Sequence, residues 1–285
     1  MNKLLTLALS VPLLACVVGS EPDTAGPGTG GGTGGGTGGG TGGGTAADGK
    51  AHIATPTTWS GTMSISKETV VDPGTTLTIA AGTVVTFAPS TSIDVQGTVD
   101  VQGTKASPVQ LSPAATGGHH YGFVVSTGGE LKMAYGVQVG GGISVDGGKV
   151  TVTDTRMSQA SGDFLVVSGG TVDVSYSAIG LEPSAGPDTT HCDMHFGGSG
   201  ATISVTHSNI STSSYGLMLY GGNNVKLTSN NWFGNSIQID TSAGVSGDIS
   251  GGWFDKGAPS ATGSGGATLT VTPLATARLT DAGPR

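Results

Sequence analysis

Charged and aromatic side chains are scarce in this 285-residue sequence. Asp, Glu, Lys and Arg make up 11% of the residues and Phe, Trp and Tyr make up 5%, whereas about a quarter of an average soluble domain is charged. Only 11 residues are Lys or Arg, and the formal net charge is −8. Because the sequence has no basic cluster with which to neutralise phosphates, it disfavours nucleic acid as a partner.

The sequence also has few cysteines, no long apolar run and no helical periodicity. The two cysteines are Cys16 and Cys192, and if Cys16 is lipidated, no intramolecular disulfide can form. The apolar run over 4–14 is too short to span a bilayer as a helix. No stretch repeats its apolar residues every 3.6 positions for long enough to predict a helix, so the sequence favours an all-β protein.

What the sequence does contain is one short pattern that recurs along most of the chain. Each copy has two apolar residues separated by one residue, followed by Thr, Ser or a small residue. The spacings between successive copies are 22, 32, 19, 22, 31, 22, 22 and 22 residues, which indicates nine units and two insertions. The first residues of the nine copies are Leu77, Val99, Leu131, Val150, Val172, Ile203, Val225, Gly247 and Leu269.

The alternation inside each copy predicts a short strand with one buried face. If each strand lies on its copy in the next turn, the backbone groups pair and the apolar residues form one continuous core. We therefore predict a parallel β-helix, a single-stranded solenoid with coils of about 22 residues, over 51–272. Nine turns spaced by about 4.8 Å would give a rod about 43 Å long.

Two phrases and a set of asparagines carry a resemblance to a known fold. The phrases are LTIAAGTVVTF and IDVQGTVDVQGT, and Asn209, Asn230 and Asn231 fall at neighbouring turn positions. The sequence from Thr57 to Thr272 resembles the right-handed parallel β-helix of the pectate-lyase-like superfamily, also called the pectin-lyase-like fold. The resemblance implies right-handed coils and an asparagine ladder. It implies no single function, because this fold is shared by lyases, hydrolases, esterases, adhesins and inert spikes.

The N-terminal segment predicts export and membrane attachment. Residues 1–15 indicate a secretory signal peptide, with Lys3 before the apolar run. The run ends in LLAC, which resembles the lipobox of bacterial lipoproteins. That resemblance implies a lipid on Cys16 and, with Val17 next, attachment to the outer membrane of a Gram-negative envelope, on its periplasmic or surface side. The alternative is a plain signal peptide with an incidental cysteine.

Three further segments flank or begin the predicted solenoid. Residues 16–50 contain four successive GGGT units and predict a disordered, flexible tether. Residues 51–71 are expected to cap the solenoid, with Trp59 over its first coil. Residues 273–285 are expected to be a loosely attached tail, because Pro273 ends the hydrogen-bond ladder.

Most histidines lie in or near the two insertions, SPAATGGHHY and GLEPSAGPDTTHCDMH. Both insertions fall between the second and third strands of their coils, three coils apart, so they should emerge on one side, about 14 Å apart along the axis. We predict that the surface between them binds a ligand. Its predicted lining is His119, His120, Tyr121, Arg156, Asp163, His191, Asp193 and His195.

The segment from His191 to Phe196 allows several interpretations. Strand alternation places Cys192, Met194 and Phe196 in the core, and His191, Asp193 and His195 outside. Alternate strand residues are about 7 Å apart, too far for all three outer side chains to hold one metal ion. We therefore predict no metal or other cofactor, which leaves a ligand-facing polar stripe or a solvated strand face. Cys192 is expected to be a buried thiol. Trp232 is expected in the core, in the column of Met157, Ile179 and Ile210.

These patterns favour a lipid-anchored binding or structural module for polysaccharide or a cell-envelope partner. His and aromatic side chains would contact sugars, and Arg156 would meet an acidic group. The alternative is a polysaccharide lyase or glycoside hydrolase acting in the same lateral groove. A hydrolase needs two carboxylates within about 5–10 Å, and the sequence shows no paired acids on adjacent coils. A passive spacer is the third interpretation.

Overall fold

The computed structural model describes residues 48–186 and 188–285, which form a right-handed parallel β-helix. The predicted signal peptide, Cys16 and nearly all of the predicted tether lie outside the described residues. Apart from the last strand, which follows sheet C and joins sheet B directly, every third strand belongs to the same sheet, so the chain passes from sheet A to sheet B to sheet C once per coil. The fold class predicted from the 22-residue repeat is therefore confirmed.

The three sheets are parallel throughout, and within each sheet the strands lie side by side in chain order. Sheet A contains β1 (Ala51–Ile53), β4 (Thr69–Val71), β7 (Ser92–Val95), β10 (Gly122–Ser126), β13 (Ile143–Asp146), β16 (Asp163–Val167), β19 (Cys192–Phe196), β22 (Tyr215–Leu219) and β25 (Ile237–Thr241). Sheet B contains β2 (Thr57–Trp59), β5 (Thr76–Ala80), β8 (Thr98–Gln102), β11 (Glu130–Ala134), β14 (Lys149–Thr153), β17 (Thr171–Ser175), β20 (Thr202–Thr206), β23 (Asn224–Lys226), β26 (Ser246–Asp248) and β28 (Thr268–Thr270). Sheet C contains β3 (Thr62–Ile65), β6 (Val84–Phe87), β9 (Val109–Pro113), β12 (Gly136–Val139), β15 (Arg156–Ser158), β18 (Ala178–Gly180), β21 (Asn209–Ser211), β24 (Asn231–Phe233) and β27 (Trp253–Phe254).

The register of sheet B matches the repeat read from the sequence. Leu77 lies opposite Val99, Val99 opposite Leu131, and the same column continues through the later copies to Leu269. One strand precedes them, because Thr57 lies opposite Leu77 in the same column. The residues expected to form only a cap thus build a full first coil. The pattern missed this coil because its strand in sheet B has one large apolar residue, Trp59, which is buried at the start of the stack.

The core is a set of columns in which each side chain lies on its copy in the next coil. In sheet C one column runs through Met157, Ile179, Ile210, Trp232 and Phe254. The Trp232 side chain is fully buried, and its ring stacks on Phe254 with centroids 5.5 Å apart and an interplanar angle of 7°. The prediction that Trp232 belongs to the core is confirmed.

A buried polar ladder lines the corner between sheets B and C. The Thr155 amide donates to Ser177 Oγ (3.2 Å), the Ser177 amide to Ser208 Oγ (3.1 Å), and the Ser208 amide to Asn230 Oδ1 (2.8 Å). The residue before each of Thr155, Ser177, Ser208 and Asn230 has a positive φ, from 47° to 59°. The chain turns sharply at these positive-φ residues. The backbone amide that follows each of them therefore needs a side-chain acceptor, which the next coil supplies.

The predicted asparagine ladder is real but shorter than the sequence indicated. Asn231 Nδ2 donates to Asn209 Oδ1 at 2.9 Å across adjacent coils. Asn230 does not join this pair, because it lies one residue earlier and continues the hydroxyl ladder at the corner between sheets B and C. Two neighbouring asparagines therefore serve two different columns.

The C-terminal segment 273–285 is not loosely attached. It runs back across the outer side of sheet C, from Arg278, which pairs with Glu182 of the second insertion (2.8 Å), to Arg285, which pairs with Asp154 at the corner between sheets B and C (2.8 Å). The Arg285 guanidinium also lies 3.8 Å from the centre of the Tyr176 ring. The expectation was wrong because Pro273 ends strand pairing, while side chains far back in the sequence bind the segment that follows.

The described residues contain little helix. The structure shows one 3-10 turn there, Pro183–Ala185, in the second insertion. Among these residues no helix is long and apolar enough to cross a bilayer.

Candidate functional site

Both insertions emerge at the corner between sheets C and A. The first joins β9 to β10, and the second joins β18 to β19. In sheet A the order β10, β13, β16, β19 places them three coils apart, as the sequence indicated. The insertions therefore border the same side of the rod, next to the outer face of sheet A.

One carboxylate and two imidazoles meet on that face. Asp163 begins β16, and on the neighbouring strand β19 His191 directly precedes the first residue while His195 lies near the end. His191 Nδ1 lies 2.8 Å from Asp163 Oδ1, and His195 Nδ1 lies 2.6 Å from Asp163 Oδ2. Each carboxylate oxygen thus has its own imidazole partner, and we call these three residues the Asp163 cluster. The sequence placed these three residues near one another but did not predict that Asp163 would bridge the two histidines.

The two histidines determine the ionisation of Asp163. Burial alone would raise the pKa of this carboxyl, but the hydrogen bonds from His195 and His191 outweigh burial and hold the pKa below its ordinary value of 3.8. Asp163 is therefore ionised at neutral pH. The side chain of His191 is 53% exposed and that of His195 is 28% exposed, so the imidazoles remain open to solvent beyond the carboxylate.

The Asp163 cluster should give the protein an acid-sensitive contribution to stability. Because its pKa is lowered by folding, the stabilisation is fully present above the ordinary carboxyl pKa of 3.8 and is lost as the pH falls through the lower folded value. We expect the wild-type protein to lose more unfolding free energy between pH 5 and pH 3 than Asp163→Asn, which cannot ionise. Urea titrations across about two pH units in this window measure the difference. Equal losses of unfolding free energy in the two proteins would show that ionised Asp163 does not contribute this stability.

Aromatic side chains surround the Asp163 cluster. The Tyr215 ring lies 5.1 Å from His191, and the Tyr220 ring meets His195 edge-on at 5.5 Å. The Tyr220 hydroxyl donates to the Asp240 carboxylate. On the other side, Tyr121 and Asp163 line a depression of about 140 Å³. The cluster therefore forms part of a longer aromatic surface.

The exposed large apolar residues mark the same surface. Among the described residues these are Tyr121 (55% exposed), Ile237 (43%) and Tyr220 (36%). All three lie in or directly beside strands of sheet A. We call the surface formed by Tyr121, Asp163, His191, His195, Tyr215, Tyr220 and Ile237 the sheet A surface. Tyr215, Tyr220 and Ile237 were missed at the level of sequence, because the register from β19 to β22 is 23 residues and a strict count of 22 from His191 and His195 does not reach them.

Asp193 points into the protein, so the prediction that it faces outward was wrong. Its side chain is fully buried, together with that of the next residue, Met194. The ladder from β16 to β19 pairs Asp163 with Cys192 and Leu165 with Met194 but skips Asp193, and the next ladder skips it too. Strict alternation fails at this local break, and two consecutive side chains turn inward.

His120 and His119 serve structural contacts. The His120 ring is buried and stacks on Phe87 at 4.0 Å. Nδ1 accepts a hydrogen bond from the Gly122 amide, and Nε2 lies 3.1 Å from the Val139 carbonyl, so both nitrogens are used. Burial lowers the pKa of His120 to about 4, which keeps the ring neutral. His119 is partly exposed, and its Nδ1 lies 3.1 Å from the Gln159 carbonyl.

Arg156 does not share the surface of the Asp163 cluster. It begins β15 in sheet C, and it lines a depression of about 240 Å³ with Asp154 and Arg285 at the corner between sheets B and C. The sequence could not separate these surfaces, because Arg156 and Asp163 are close along the chain but lie on different sheets. The predicted lining residues thus lie in different places. Asp163, His191 and His195 form the outer cluster, His120 and Asp193 are buried, and Arg156 lies at a separate corner.

Cys192 is a buried thiol, as predicted. Its Sγ donates to the Met194 carbonyl, and burial raises the pKa of the thiol far above its ordinary range. A thiol in this state is a poor nucleophile. In the described part of the chain, no group of three or more His, Cys, Asp or Glu residues is arranged to hold a metal ion.

Comparison with known proteins adds no relative. No protein-family model, curated protein or solved structure matches this chain. The β-helix rests on the structure itself, while membership of the pectate-lyase-like superfamily and of the bacterial lipoproteins stays a prediction from sequence.

Proposed function

We propose that this protein is a lipid-anchored, non-catalytic module of the bacterial cell envelope that binds polysaccharide along the sheet A surface. The observation that carries the proposal is the concentration of exposed aromatic and imidazole side chains on one face of the rod. Such side chains combine a flat apolar ring with a polar edge, and sugars present apolar ring faces edged by hydroxyls.

The opposite composition of sheet B supports this choice. Its solvent-facing column contains Asp100, Lys132, Thr151, Asp173 and Ser204. Short polar and charged side chains of this kind suit contact with water. Because a glycan needs ring contacts as well as hydrogen bonds, sheet A offers the better binding surface.

The Asp163 cluster also fixes which hydrogen-bonding groups a ligand would meet. With Asp163 ionised, both histidines direct Nδ1 at the carboxylate. A neutral imidazole that donates from Nδ1 has an acceptor at Nε2. Nε2 is therefore the nitrogen that His191 and His195 would each offer to a sugar hydroxyl, with Tyr215 and Tyr220 beside them as ring surfaces.

The arrangement of carboxylates favours binding over hydrolysis. Asp240 is a second carboxylate near the cluster, and its strand β25 lies three strands from β16, a separation of about 14 Å. Glycosidases place their two carboxyl groups about 5–10 Å apart. Asp193 is nearer in the sheet, but its side chain is buried and cannot reach a ligand on the surface.

The location in the envelope rests on the sequence. The lipobox-like LLAC before Val17 and the Gly/Thr-rich segment that follows support a lipid on Cys16 and a flexible connection to the membrane. A rod held this way would present its lateral face to polymers or proteins of the envelope.

Retention on immobilised polysaccharides tests this function. We expect the purified protein to be retained on at least one neutral or acidic polymer, and Tyr220→Ala or His195→Ala to weaken retention by about tenfold or more, the loss of roughly 1.4 kcal/mol of contact. Lys226→Ala, on the exposed face of β23 in sheet B, should bind as the wild type does.

Three outcomes would contradict the proposal. New reducing ends, or the ultraviolet absorbance of unsaturated sugars, that disappear in Asp163→Asn would make the protein an enzyme. Equal retention of Tyr220→Ala and the wild-type protein would place the ligand elsewhere. Absence of retention on every polymer would favour a protein partner or a spacer.

A further inference from the structure

The segment 273–285 lies in a groove on the outer side of sheet C and follows the axis of the rod. Its backbone contacts Gly252, Asn231 and His207 in turn, and its last residue pairs with Asp154. These partners belong to the coils of β26, β23, β20 and, past the coil of β17, β14. The segment therefore spans five coils, although none of its residues belongs to a strand.

One pocket of this groove holds Arg285. Its Nε and Nη2 atoms donate to Asp154 Oδ1 (2.9 Å) and Oδ2 (2.8 Å), and its backbone amide also donates to Oδ1 (3.0 Å). The guanidinium lies over the Tyr176 ring, 3.8 Å from its centre. The Asp154 side chain is buried, and its hydrogen bonds with Arg285 hold the pKa of the carboxyl below its ordinary value. An ionised carboxylate is thus directed at the guanidinium.

A second pocket holds Arg278 with the same two components. Its Nη1 and Nη2 atoms donate to the two carboxylate oxygens of Glu182 (3.3 and 2.8 Å), and the guanidinium lies 4.0 Å from the centre of the Phe233 ring. Lysine cannot make this two-pronged contact with a carboxylate. Only three of the 285 residues are arginine, and two of them occupy these pockets. The groove therefore selects arginine at two positions seven residues apart.

Between the two pockets the groove binds the backbone of the segment. Asn231 Oδ1 accepts a hydrogen bond from the Leu279 amide (2.8 Å), and Asn231 Nδ2 donates to the Leu279 carbonyl (2.9 Å). The Gly283 amide donates to the His207 carbonyl (2.8 Å). Gly283 has a φ of 104°, and a Cβ there would come within 2.6 Å of Asn209 Nδ2. The groove therefore requires a glycine two positions before the second arginine.

The segment lies on the surface, and its charged contacts are open to solvent. The side chains of Arg278 and Arg285 are 42% and 57% exposed, and that of Glu182 is 47% exposed. Ion pairs at this exposure are screened by salt and add little to stability. Leu274 packs against the hydrophobic core, but no side chain of 278–285 does. The contacts thus determine where this part of the segment lies, while its exposure allows it to leave without unfolding a coil.

We infer that the outer side of sheet C is a binding site for an extended peptide segment with the pattern Arg-x4-Gly-x-Arg, and that residues 278–285 occupy it as a releasable internal ligand. The partner is a polypeptide that presents this pattern in an extended, exposed segment, which would compete for both arginine pockets. Recognition of an extended segment by backbone contacts and side-chain pockets is a recurring mode of peptide binding. The site is on a different sheet from the sheet A surface and does not depend on polysaccharide binding.

Binding of a labelled synthetic peptide of residues 274–285 to the full-length protein tests this inference. In the wild type the linked segment competes at a high effective concentration, so we expect the peptide to bind weakly. The full-length variant with both Arg278→Ala and Arg285→Ala keeps the groove and loosens its own segment, so it should bind the peptide at least about tenfold more tightly. Fluorescence anisotropy measures both affinities, and binding should weaken as the ionic strength rises.

Matched changes separate recognition in the groove from general attraction of a cationic peptide to an acidic protein. Asp154→Asn, added to the double variant, should weaken peptide binding by about tenfold or more, because it removes the charged acceptor of Arg285. A peptide with Gly283→Ala keeps its charge and should lose a similar factor, since it cannot fit beside Asn209. A peptide with lysine at both arginine positions should also bind weakly. Asp173→Asn, on the exposed face of sheet B, should have no effect.

Three results would overturn the inference. Equal affinity of the wild type and the double variant would show that the peptide does not bind where the segment lies. Equal binding of the Gly283→Ala peptide and the unmodified peptide would show attraction by charge alone. Loss of the fold in the double variant, or of all peptide binding, would make the segment a fixed part of the β-helix. None of these results bears on polysaccharide retention, which involves a different face.

Discussion

Replacing Trp232 with alanine is expected to lower the free energy of unfolding by about 3–5 kcal/mol. The ring is fully buried between Ile210 and Phe254 in a column of sheet C. Parallel hydrogen bonds fix the spacing of the coils at about 4.8 Å, so the neighbours cannot close the cavity. Part of the loss is the stacking contact with Phe254, whose centroid lies 5.5 Å away.

Urea denaturation followed by circular dichroism measures this effect. The matched control is Trp253→Ala, since Trp253 is only partly buried and its ring meets Phe233 at a looser 6.5 Å. We expect the control to lose about 1 kcal/mol, as a partly exposed aromatic does. Equal losses in the two variants would show that the Trp232 column does not carry the stability assigned to it.

The damage from Trp232→Ala should also be local. In a solenoid each coil contacts only its neighbours, so stability is close to a sum of coil and interface contributions. Hydrogen exchange should accelerate in β21, β24 and β27 and remain unchanged in the first coils. If unfolding of the variant occurs in two steps, the first step should correspond to the C-terminal coils.

Replacing Asn230 with alanine is expected to lower the free energy of unfolding by about 2–6 kcal/mol, the sum of two lost partners at about 1–3 kcal/mol each. Asn230 Oδ1 accepts from the Ser208 amide (2.8 Å), and Nδ2 donates to the Val205 carbonyl (2.7 Å). Alanine would leave both backbone groups buried and unpaired. The cost is large because the side chain is fully buried and the corner leaves no access for water.

Two matched variants test the role of Asn230 in the ladder. Asn224→Ala removes an exposed asparagine from β23 and should change stability by no more than about 0.5 kcal/mol. Asn230→Ser should recover part of the loss, because Thr155, Ser177 and Ser208 supply a hydroxyl at the same position in the preceding coils. If serine is as damaging as alanine, the ladder of acceptors is not the cause.

Much of the candidate site could be predicted from sequence, and its failures have clear causes. The 22-residue period located both insertions and brought Asp163 near His191 and His195. The same period misplaced Arg156, because residues seven apart can cross from one sheet to the next within a coil. Asp193 was misplaced because strict alternation assumes a regular strand, and the ladder skips that residue in two successive pairs.

The repeat by itself determined the fold class, the register and the composition of the core columns. A parallel β-helix places each residue on its copy one coil away, so spacing along the chain translates directly into neighbours in space. The tertiary structure alone decided the bridging role of Asp163, the inward turn of Asp193 and the docking of segment 273–285. These features depend on local breaks and on contacts between segments far apart in sequence, which no periodic pattern encodes.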